Sequence, residues 1–248
     1  MILTGTPDRT HHVRYDLEGG VVEKDTLIAS PEGAPPAPNA FLIRQSPHYV
    51  IRPHFHFNSQ FQVVVEGSGH LGNHEVRPFT VHYANRQTGY GPIVAGPNGL
   101  AYFTLRAAME AGAYFLPESN AQRDLSVRKM QVTAPAASPA EDAERASRTV
   151  SSVEVLIEPN ADGLAAWLLR VPAGAAVSWP VHGNGAGRYC LVGAGLLDVA
   201  GETLPRNGLV WVPADEVPAA RAGSAGVDIV VMQFPASVVH DQAPPQAA

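Results

Sequence analysis

The chain carries one pattern of residues in both of its halves, and this repeat limits the folds that are open to it. The segment 40–44 (AFLIR) resembles the segment 166–170 (AWLLR), and a histidine follows each, at His54 and at His182. In both halves a glycine comes thirteen residues after that histidine. An internal repeat of this length is typical of two copies of one domain, rather than of a solenoid built from many short units.

Short strand-like segments fill both halves. The runs 61–65 (FQVVV), 209–212 (LVWV) and 228–234 (DIVVMQF) are rich in β-branched and aromatic residues, and Gly or Pro follows each of them closely. The 23 glycines and 22 prolines are spread along the chain, which suits strands joined by turns and disfavours a helical bundle. We therefore predict an all-β fold made of two tandem antiparallel β-barrels.

The predicted boundaries follow the repeat. They are a first barrel over 1–131, a linker over 132–150, a second barrel over 151–241 and a frayed tail over 242–248. Within the linker, 133–139 (TAPAASP) has the low complexity of a hinge. Ser138 and Glu141 form the pattern of a capping box, and Pro139 takes the first helical position, so a short helix is predicted over 139–147.

Charge and hydropathy exclude two classes of partner. The net charge is −6 and no cluster of Lys and Arg stands out, so no nucleic-acid partner is expected. No apolar run approaches the roughly 18 residues of a membrane span, and no signal peptide is visible, so we expect a cytoplasmic protein. The single cysteine, Cys190, rules out an internal disulfide. The expected partners are a small-molecule substrate or ligand and a second copy of the chain, in a homodimer.

Three side chains of the first half are candidates for metal ligands. Alternate residues of a strand point to the same face, so His54 and His56 can converge on one ion. Gln60 follows after three residues, which is enough for a turn into the next strand. Two imidazoles and a carboxamide oxygen would leave open positions for water or substrate, as a catalytic metal site requires. The alternative is that both histidines are structural and that Gln60 only forms hydrogen bonds.

These residues resemble the first motif of the cupin superfamily. That motif is His, any residue, His, three or four residues, Glu, six residues and Gly, and the chain matches it from His54 to Gly67 with Gln60 in place of Glu. The second cupin motif is similar to Pro97-Asn98-Gly99 and the three residues after it, with Tyr102 in place of a metal-binding His. The resemblance covers both halves and implies a bicupin of two jelly-roll barrels, with one divalent metal ion (Zn, Ni, Fe, Mn or Cu) in the first.

The departures from the motif leave the fourth ligand open. Tyr102 could be that ligand, a phenol donor to a metal-bound water, a substrate contact or a core aromatic, and it is the candidate catalytic residue. His82 is the reserve candidate for the fourth ligand, because it shares one face of a strand with Thr80 and Ala84. Glutamine in place of glutamate removes a negative charge from the metal shell, which favours Lewis-acid chemistry over oxygen activation.

The second half has lost the ligand pattern. His182, Asn184 and Arg188 stand at the positions of the three ligands, and Pro218 is assigned to the fourth. A fixed cation such as Arg188 opposes a divalent ion in a medium of low dielectric constant. We therefore expect metal in the N-terminal barrel alone.

Three functions stay open on these observations. The first is a metal-dependent enzyme that acts on a small polar, oxygen-bearing molecule in an isomerase, lyase or hydrolase reaction. The second is a cupin dioxygenase that uses Fe, Ni or Cu. The third is a ligand-binding or structural bicupin without catalytic activity, whose best support is the poor second motif.

Overall fold

The computed structural model describes residues 1–29, 38–110, 112–138 and 140–240. Within them the chain is almost entirely β-structure, and every strand pairing is antiparallel, which confirms the predicted fold class. The strands are β1 (Leu3–Gly5), β2 (His11–Leu17), β3 (Gly20–Ile28), β4 (Asn39–Gln45), β5 (Val50–Ile51), β6 (His54–Phe55), β7 (Gln60–Leu71), β8 (His74–Val76), β9 (Val81–Ala84), β10 (Ile93–Arg106), β11 (Tyr114–Phe115), β12 (Gln131–Thr133), β13 (Ser152–Ile157), β14 (Ala165–Val171), β15 (Arg188–Val199), β16 (Glu202–Leu204), β17 (Leu209–Val212) and β18 (Ala220–Gln233).

The chain divides into two compact units. The first unit comprises residues 11–136 together with the described residues from Val238 onward, and the second comprises 137–237 together with 1–10. One α-helix, α1 (Asp142–Ser147), and two short 3-10 helices accompany the strands in the described residues. None of these helices has the length and apolar character that a membrane-spanning helix needs.

Two long strands, β7 and β10, form the centre of the first unit. The first part of β7 pairs with β9 and its last part with β8, while β10 pairs first with β5 and then with β4. The full order of the main sheet is β12-β9-β7-β10-β4-β3-β2, and β6 pairs with β11 beside it. Because each long strand changes partners along its length, the sheet folds over and encloses a core in which Phe61, Phe103 and Leu105 are fully buried.

The second unit has the same arrangement of central strands. There β15 pairs first with β17 and then with β16, and β18 pairs with β15 and β14. Its core is a cluster of aliphatic side chains that includes Leu169, Val192 and Ile229. The repeat of the sequence therefore corresponds to a repeat of strand order.

A pair of glycines marks the bend in the central strands of each unit. Gly67 on β7 and Gly99 on β10 both have positive φ, of 72° and 79°. A Cβ on Gly67 would collide with the carbonyl oxygen of Gly99. Gly195 on β15 and Gly226 on β18 repeat this geometry, with φ of 79° and 75°. These four positions require glycine because the backbones meet there in a conformation that L-residues rarely adopt.

The first unit begins later in the chain than predicted, because residues 1–10 belong to the second unit. Residues 3–5 form β1, which pairs with β17 of the second unit, so the first strand does not belong to the first barrel. Leu3 lies opposite Trp211, and the strand covers an edge that β17 would otherwise leave unpaired. The predicted tail, 242–248, lies outside the described residues.

The linker helix is shorter than predicted. It begins at Asp142, and its N-terminal flanking residue is Glu141, with no side-chain capping bond, so Ser138 is not the cap. The physical reason is that the backbone groups just before the helix form hydrogen bonds with side chains of the second unit. The amide of Ala140 donates to the buried carboxylate of Asp228 at 2.8 Å, and the Ser138 carbonyl accepts a hydrogen bond from an arginine of β14. Pro139 lies outside the described residues.

Candidate functional site

The structure brings the three predicted metal ligands together inside the first unit. His54 lies on β6, His56 follows that strand, and Gln60 is the first residue of β7. All three are buried, with exposed fractions of 4%, 6% and 1%. The rings of His54 and His56 lie 5.2 Å apart and almost perpendicular to each other. The segment between the two strands is thus a short turn that places both imidazoles and the carboxamide at one end of the barrel.

Tyr90, which the sequence analysis did not single out, joins this group. Its backbone pairs with His54 through two hydrogen bonds of 3.0 and 3.1 Å. Nδ1 of His54 lies 2.8 Å from the carbonyl of Arg52, so it donates there and leaves Nε2 as an acceptor. The Tyr90 hydroxyl donates to that Nε2 at 2.9 Å and accepts a hydrogen bond from Nε2 of Gln60.

Arg106, at the end of β10, also enters the group. Its Nε donates to Oε1 of Gln60 at 3.0 Å, and its Nη2 lies 3.1 and 3.3 Å from the two ring nitrogens of His56. Gln60 and Arg106 are direct partners across β7 and β10, which is why the guanidinium reaches the carboxamide. The Arg106 residue is 3% exposed. The site therefore has a positive charge that comes from a side chain of the protein, the Arg106 guanidinium.

Glu110 supplies the negative charge nearest to this guanidinium. Its two carboxylate oxygens accept the backbone N–H groups of Phe57 and Asn58, each at 2.8 Å, and Oε1 lies 3.4 Å from Nδ1 of His56. The Asn58 side chain donates in return to the carbonyls of Ala108 and Met109. The turn that carries His56 is thus tied to the segment after β10.

Burial sets the protonation states of the site. It lowers the pKa of His54, and it lowers that of His56 well below its usual range, with the charge of Arg106 acting in the same direction on both. Burial also raises the pKa of the Tyr90 phenol and of the Glu110 carboxyl, the latter against the opposing effect of Arg106. At neutral pH both imidazoles are neutral, and Tyr90 keeps its proton.

An open pocket of about 480 Å³ reaches this group from the surface. Its inner wall includes His54, His56, Tyr90 and Arg106, and its outer wall is largely apolar or aromatic. Residues of the outer wall include Tyr15, Ile43, Ile51 and Phe115. A pocket with a few convergent polar groups under an apolar mouth has the shape and chemistry of a small-molecule site.

The two candidates for a fourth ligand make no hydrogen bond to the imidazole pair in the described residues, although the His82 ring lies 5.5 Å from the ring of Tyr90. Tyr102 lies on β10 and lines the inner wall of the pocket, and burial raises the pKa of its phenol. His82 lies on β9, where Nδ1 is 2.9 Å from the hydroxyl of Thr133, and burial lowers its pKa to about 4. Its Nε2 has no hydrogen-bond partner among the described residues, and the side chain lines a cavity of about 10 Å³ together with Gln62 and Tyr102. Arg106, by contrast, bonds to both Gln60 and His56.

In the second unit, a buried arginine occupies the position that corresponds to Gln60. Arg188 is 1% exposed and donates to the carbonyl of Glu216 at 2.9 Å, while His182 and Asn184 are exposed. The assignment of Pro218 to the fourth position is wrong, because Gly226 is the counterpart of Gly99 and Ile229 therefore corresponds to Tyr102. The error came from matching a proline, whereas the paired glycines fix the register.

The donor set does not fit a divalent ion in this arrangement. Arg106 occupies Oε1 of Gln60 and contacts His56, and the Tyr90 hydroxyl occupies Nε2 of His54. A guanidinium at hydrogen-bond distance from two of three ligands repels a second cation at low dielectric constant. No group of three or more His, Cys, Asp or Glu side chains that could hold a metal exists in the described ranges. One feature does suit a metal: the carbonyl of Arg52 orients His54 as such partners orient metal-bound imidazoles.

The sequence analysis thus missed Tyr90, Arg106 and Glu110. A signal was available for Arg106, because it stands seven residues after Gly99, as Gln60 stands seven residues before Gly67. Tyr90 and Glu110 lie outside the repeat, on segments that have no pattern of their own, so no sequence signal identified them.

Comparisons with known proteins bear on the fold. No protein-family model and no curated protein matches the sequence. Among solved structures, a candidate dioxygenase from Nostoc punctiforme has a TM-score of 0.61 at 10% identity, covering 94% of this chain and 82% of its own. Pirin YhhW of Escherichia coli in complex with nickel(II) has a TM-score of 0.59 at 10% identity, covering 95% and 99%.

A third similar structure is oxalate decarboxylase of Bacillus subtilis, a protein with Mn(II) centres. Its TM-score is 0.59 at 13% identity, and the match covers 94% of this chain and 76% of that one. At these identities the likeness establishes the fold. The likeness therefore shows that this chain shares the antiparallel β-fold of these proteins.

Proposed function

We propose that the first unit binds a small organic anion and catalyses a proton-transfer reaction on it, of the isomerase, lyase or hydrolase type. The observation that carries this proposal is the charge of the pocket. The side chains of Lys24 and Arg106 both line it, and each lies over the ring of Phe41, with Nζ of Lys24 4.3 Å and Cζ of Arg106 5.5 Å from the ring centroid.

The balance of charge in the inner pocket supports an anionic ligand. Glu110 is the one carboxylate among the described residues that line it, and both of its oxygens already accept backbone N–H groups. His54 and His56 are neutral, and Arg52, the third cation that lines the pocket, pairs at the surface with Glu118, so Lys24 and Arg106 face the one carboxylate of the pocket, although the chain as a whole has a net charge of −6. Burial and the nearby Arg106 lower the pKa of Lys24, and a bound carboxylate would offset this repulsion.

The walls of the pocket suggest the rest of the ligand and its chemistry. Ile51 and Phe115 provide apolar surface nearer the mouth, which suits a hydrocarbon or aryl group attached to the anionic group of the ligand. Tyr90 lies in the inner wall with its hydroxyl bonded to His54. Because the Tyr90 hydroxyl donates to Nε2 of the neutral His54, this pair is suited to take a proton from a substrate atom beside the bound anion: the phenol oxygen accepts that proton while its own proton passes to the imidazole.

Calorimetry with matched ligands tests the proposal. Aryl carboxylates of graded length are compared with their primary amides, which have nearly the same shape and no charge. We expect each carboxylate that binds to do so at least about ten-fold more tightly than its amide, because one partly buried ion pair is worth about that factor. Equal affinity for carboxylate and amide would refute an anion site.

Lys24→Gln should remove most of this preference, and Lys129→Gln is the matched control. Lys129 is the other lysine of the chain, and it is exposed and outside the pocket. The same pair of variants separates electrostatic recognition from a general effect of net charge, because both lose one positive charge. Loss of the preference in both variants would contradict the assignment of Lys24.

A second candidate function is the metal-dependent cupin enzyme, with a dioxygenase as one form of it. The orientation of His54 by the Arg52 carbonyl favours it, as do the nickel and manganese named for proteins of this fold. It requires Arg106 to leave Gln60. Metal analysis of protein purified without added metal, with aerobic and anaerobic activity screens, tests it: one tightly bound equivalent that His54→Ala removes would favour this function over the first.

We also propose a homodimer and a cytoplasmic location. Strand β13 lies at the edge of the sheet of the second unit and exposes Val153 and Val155. An exposed apolar edge strand of this kind supports self-association. Analytical ultracentrifugation would give twice the chain mass for a dimer. A Val153→Lys variant that sediments as the original protein does would show that this strand is not the interface.

A further inference from the structure

An arginine and a glutamine face each other at the same register in both units. In the first unit Gln60 lies on β7 opposite Arg106 on β10. In the second unit Arg188 lies on β15 opposite Gln233 on β18, so the two residue types have exchanged strands. In each pair, one residue stands seven positions before the bend glycine of its strand and the other stands seven positions after its own. All four side chains are buried.

The consequences of this pair differ between the units. In the second unit Gln233 bonds to the backbone of His182 and Gly163, and His182 and Asn184 are exposed, so neither side chain of the former ligand pattern shares the interior with Arg188. In the first unit the interior retains both imidazoles. Its guanidinium takes the very acceptors that the cupin motif would assign to a metal, namely Oε1 of Gln60 and a ring nitrogen of His56.

We propose that Arg106 replaces the metal ion of the first unit, and that His54, His56 and Gln60 are a latent metal site held closed by its guanidinium. The replacement satisfies the same groups. A divalent ion would take lone pairs from the imidazoles and the carboxamide, whereas here Arg106 binds two of the three ligands and the Tyr90 hydroxyl binds the third.

The contacts of Arg106 explain why a metal would not displace it. Its Nη1 also donates to the backbone carbonyl of Glu110 at 3.3 Å, and the carboxylate of that residue lies beside His56. An ion that entered would have to move a buried, paired guanidinium and leave these acceptors without it, which costs more than a weak three-ligand site returns. This inference does not depend on the proposed organic ligand, and its test uses metal alone.

The experiment measures binding of Ni(II), Mn(II) and Zn(II) to the full chain by calorimetry, and metal content after dialysis. The variants are Arg106→Ala, the double variant Gln60→Glu/Arg106→Ala, and Arg188→Ala as the matched control in the second unit. The unmodified protein should hold no stoichiometric metal. Arg106→Ala should bind one equivalent at least about 100-fold more tightly than the unmodified protein, because a fixed like charge has been removed from the ligands. The double variant should bind more tightly still, because it adds a carboxylate, and Arg188→Ala should bind no better than the unmodified protein.

A further variant ensures that every result either supports or refutes the inference. Adding His54→Ala to Arg106→Ala should abolish the acquired binding, which shows that the metal sits on the predicted ligands. If Arg106 variants fold and still bind no metal, the guanidinium is not what excludes it, and the inference fails. If Arg106→Ala does not fold, the unmodified chain decides: one equivalent of metal lost on His54→Ala, but retained by Arg188→Ala, would overturn the inference. If this inference fails, the proposed preference of the pocket for carboxylates is not affected.

Discussion

Removing the Glu110 carboxylate should destabilise the first unit through two specific hydrogen bonds. The side chain is 2% exposed, and its oxygens accept the backbone N–H groups of Phe57 and Asn58, each at 2.8 Å. A hydrogen bond to a charged group contributes about 1.5–3 kcal/mol, so the loss of both in Glu110→Ala should cost about 3–6 kcal/mol. Glu110→Gln keeps one carbonyl acceptor and should cost about half of that, because its NH₂ group faces the second N–H donor.

Urea unfolding of the full chain, followed by far-UV circular dichroism, measures this cost, and hydrogen exchange locates it. Exchange at the amides of Phe57 and Asn58 should accelerate in both variants, since these amides lose their acceptors. The control is Glu118→Ala, because Glu118 is 59% exposed and its carboxylate pairs with Arg52 at the surface. If Glu110→Ala destabilises the chain no more than Glu118→Ala does, or leaves exchange at both amides unchanged, the reasoning is refuted.

Three further predictions concern other parts of the chain. Asp228→Asn should lower the free energy of unfolding by about 3 kcal/mol, because it breaks the buried 2.7 Å ion pair with Arg148. All three tryptophans lie in the same unit, so tryptophan fluorescence should show a lower urea midpoint. An unchanged midpoint would contradict this. Cys190 should resist thiol reagents at neutral pH until urea unfolds the chain, since it is fully buried and burial raises its pKa to about 12; labelling of the folded protein would show an accessible thiol. Gly67→Ala should lower the melting temperature more than Gly19→Ala, because both have positive φ but only the first meets a neighbouring carbonyl; equal shifts would mean that the backbones do not meet there.

The sequence predicted the fold class because the relevant signals are local. Runs such as 61–65 and 209–212 are rich in β-branched residues and end near glycine or proline, and they lie in strands β7 and β17. The boundaries were harder to predict. Residues 3–5 carry no mark of their partner, and only the fold reveals that they complete an edge beside β17.

The candidate site was predictable only in part, for a different reason. His54, His56 and Gln60 lie within seven residues of one another, so spacing alone brings them close. Tyr90, Arg106 and Glu110 reach them from 30 to 50 residues further along the chain, through strand pairing and a backbone bridge. The function of the two imidazoles depends on these distant neighbours, and a motif that describes only the ligands contains no information about them.

The hydrogen bonds of the site run in one direction, and this gives Gln60 a role that glutamate could not fill. A carboxamide accepts at its oxygen and donates at its nitrogen, so Gln60 accepts a hydrogen bond from Arg106 and donates one to the Tyr90 hydroxyl, which in turn donates to His54. A carboxylate only accepts. It would draw the Tyr90 proton toward itself and leave Nε2 of His54 without a donor. Among natural relatives of this chain, glutamine at position 60 and tyrosine at position 90 should therefore occur together, and the identity of one residue should forecast the other.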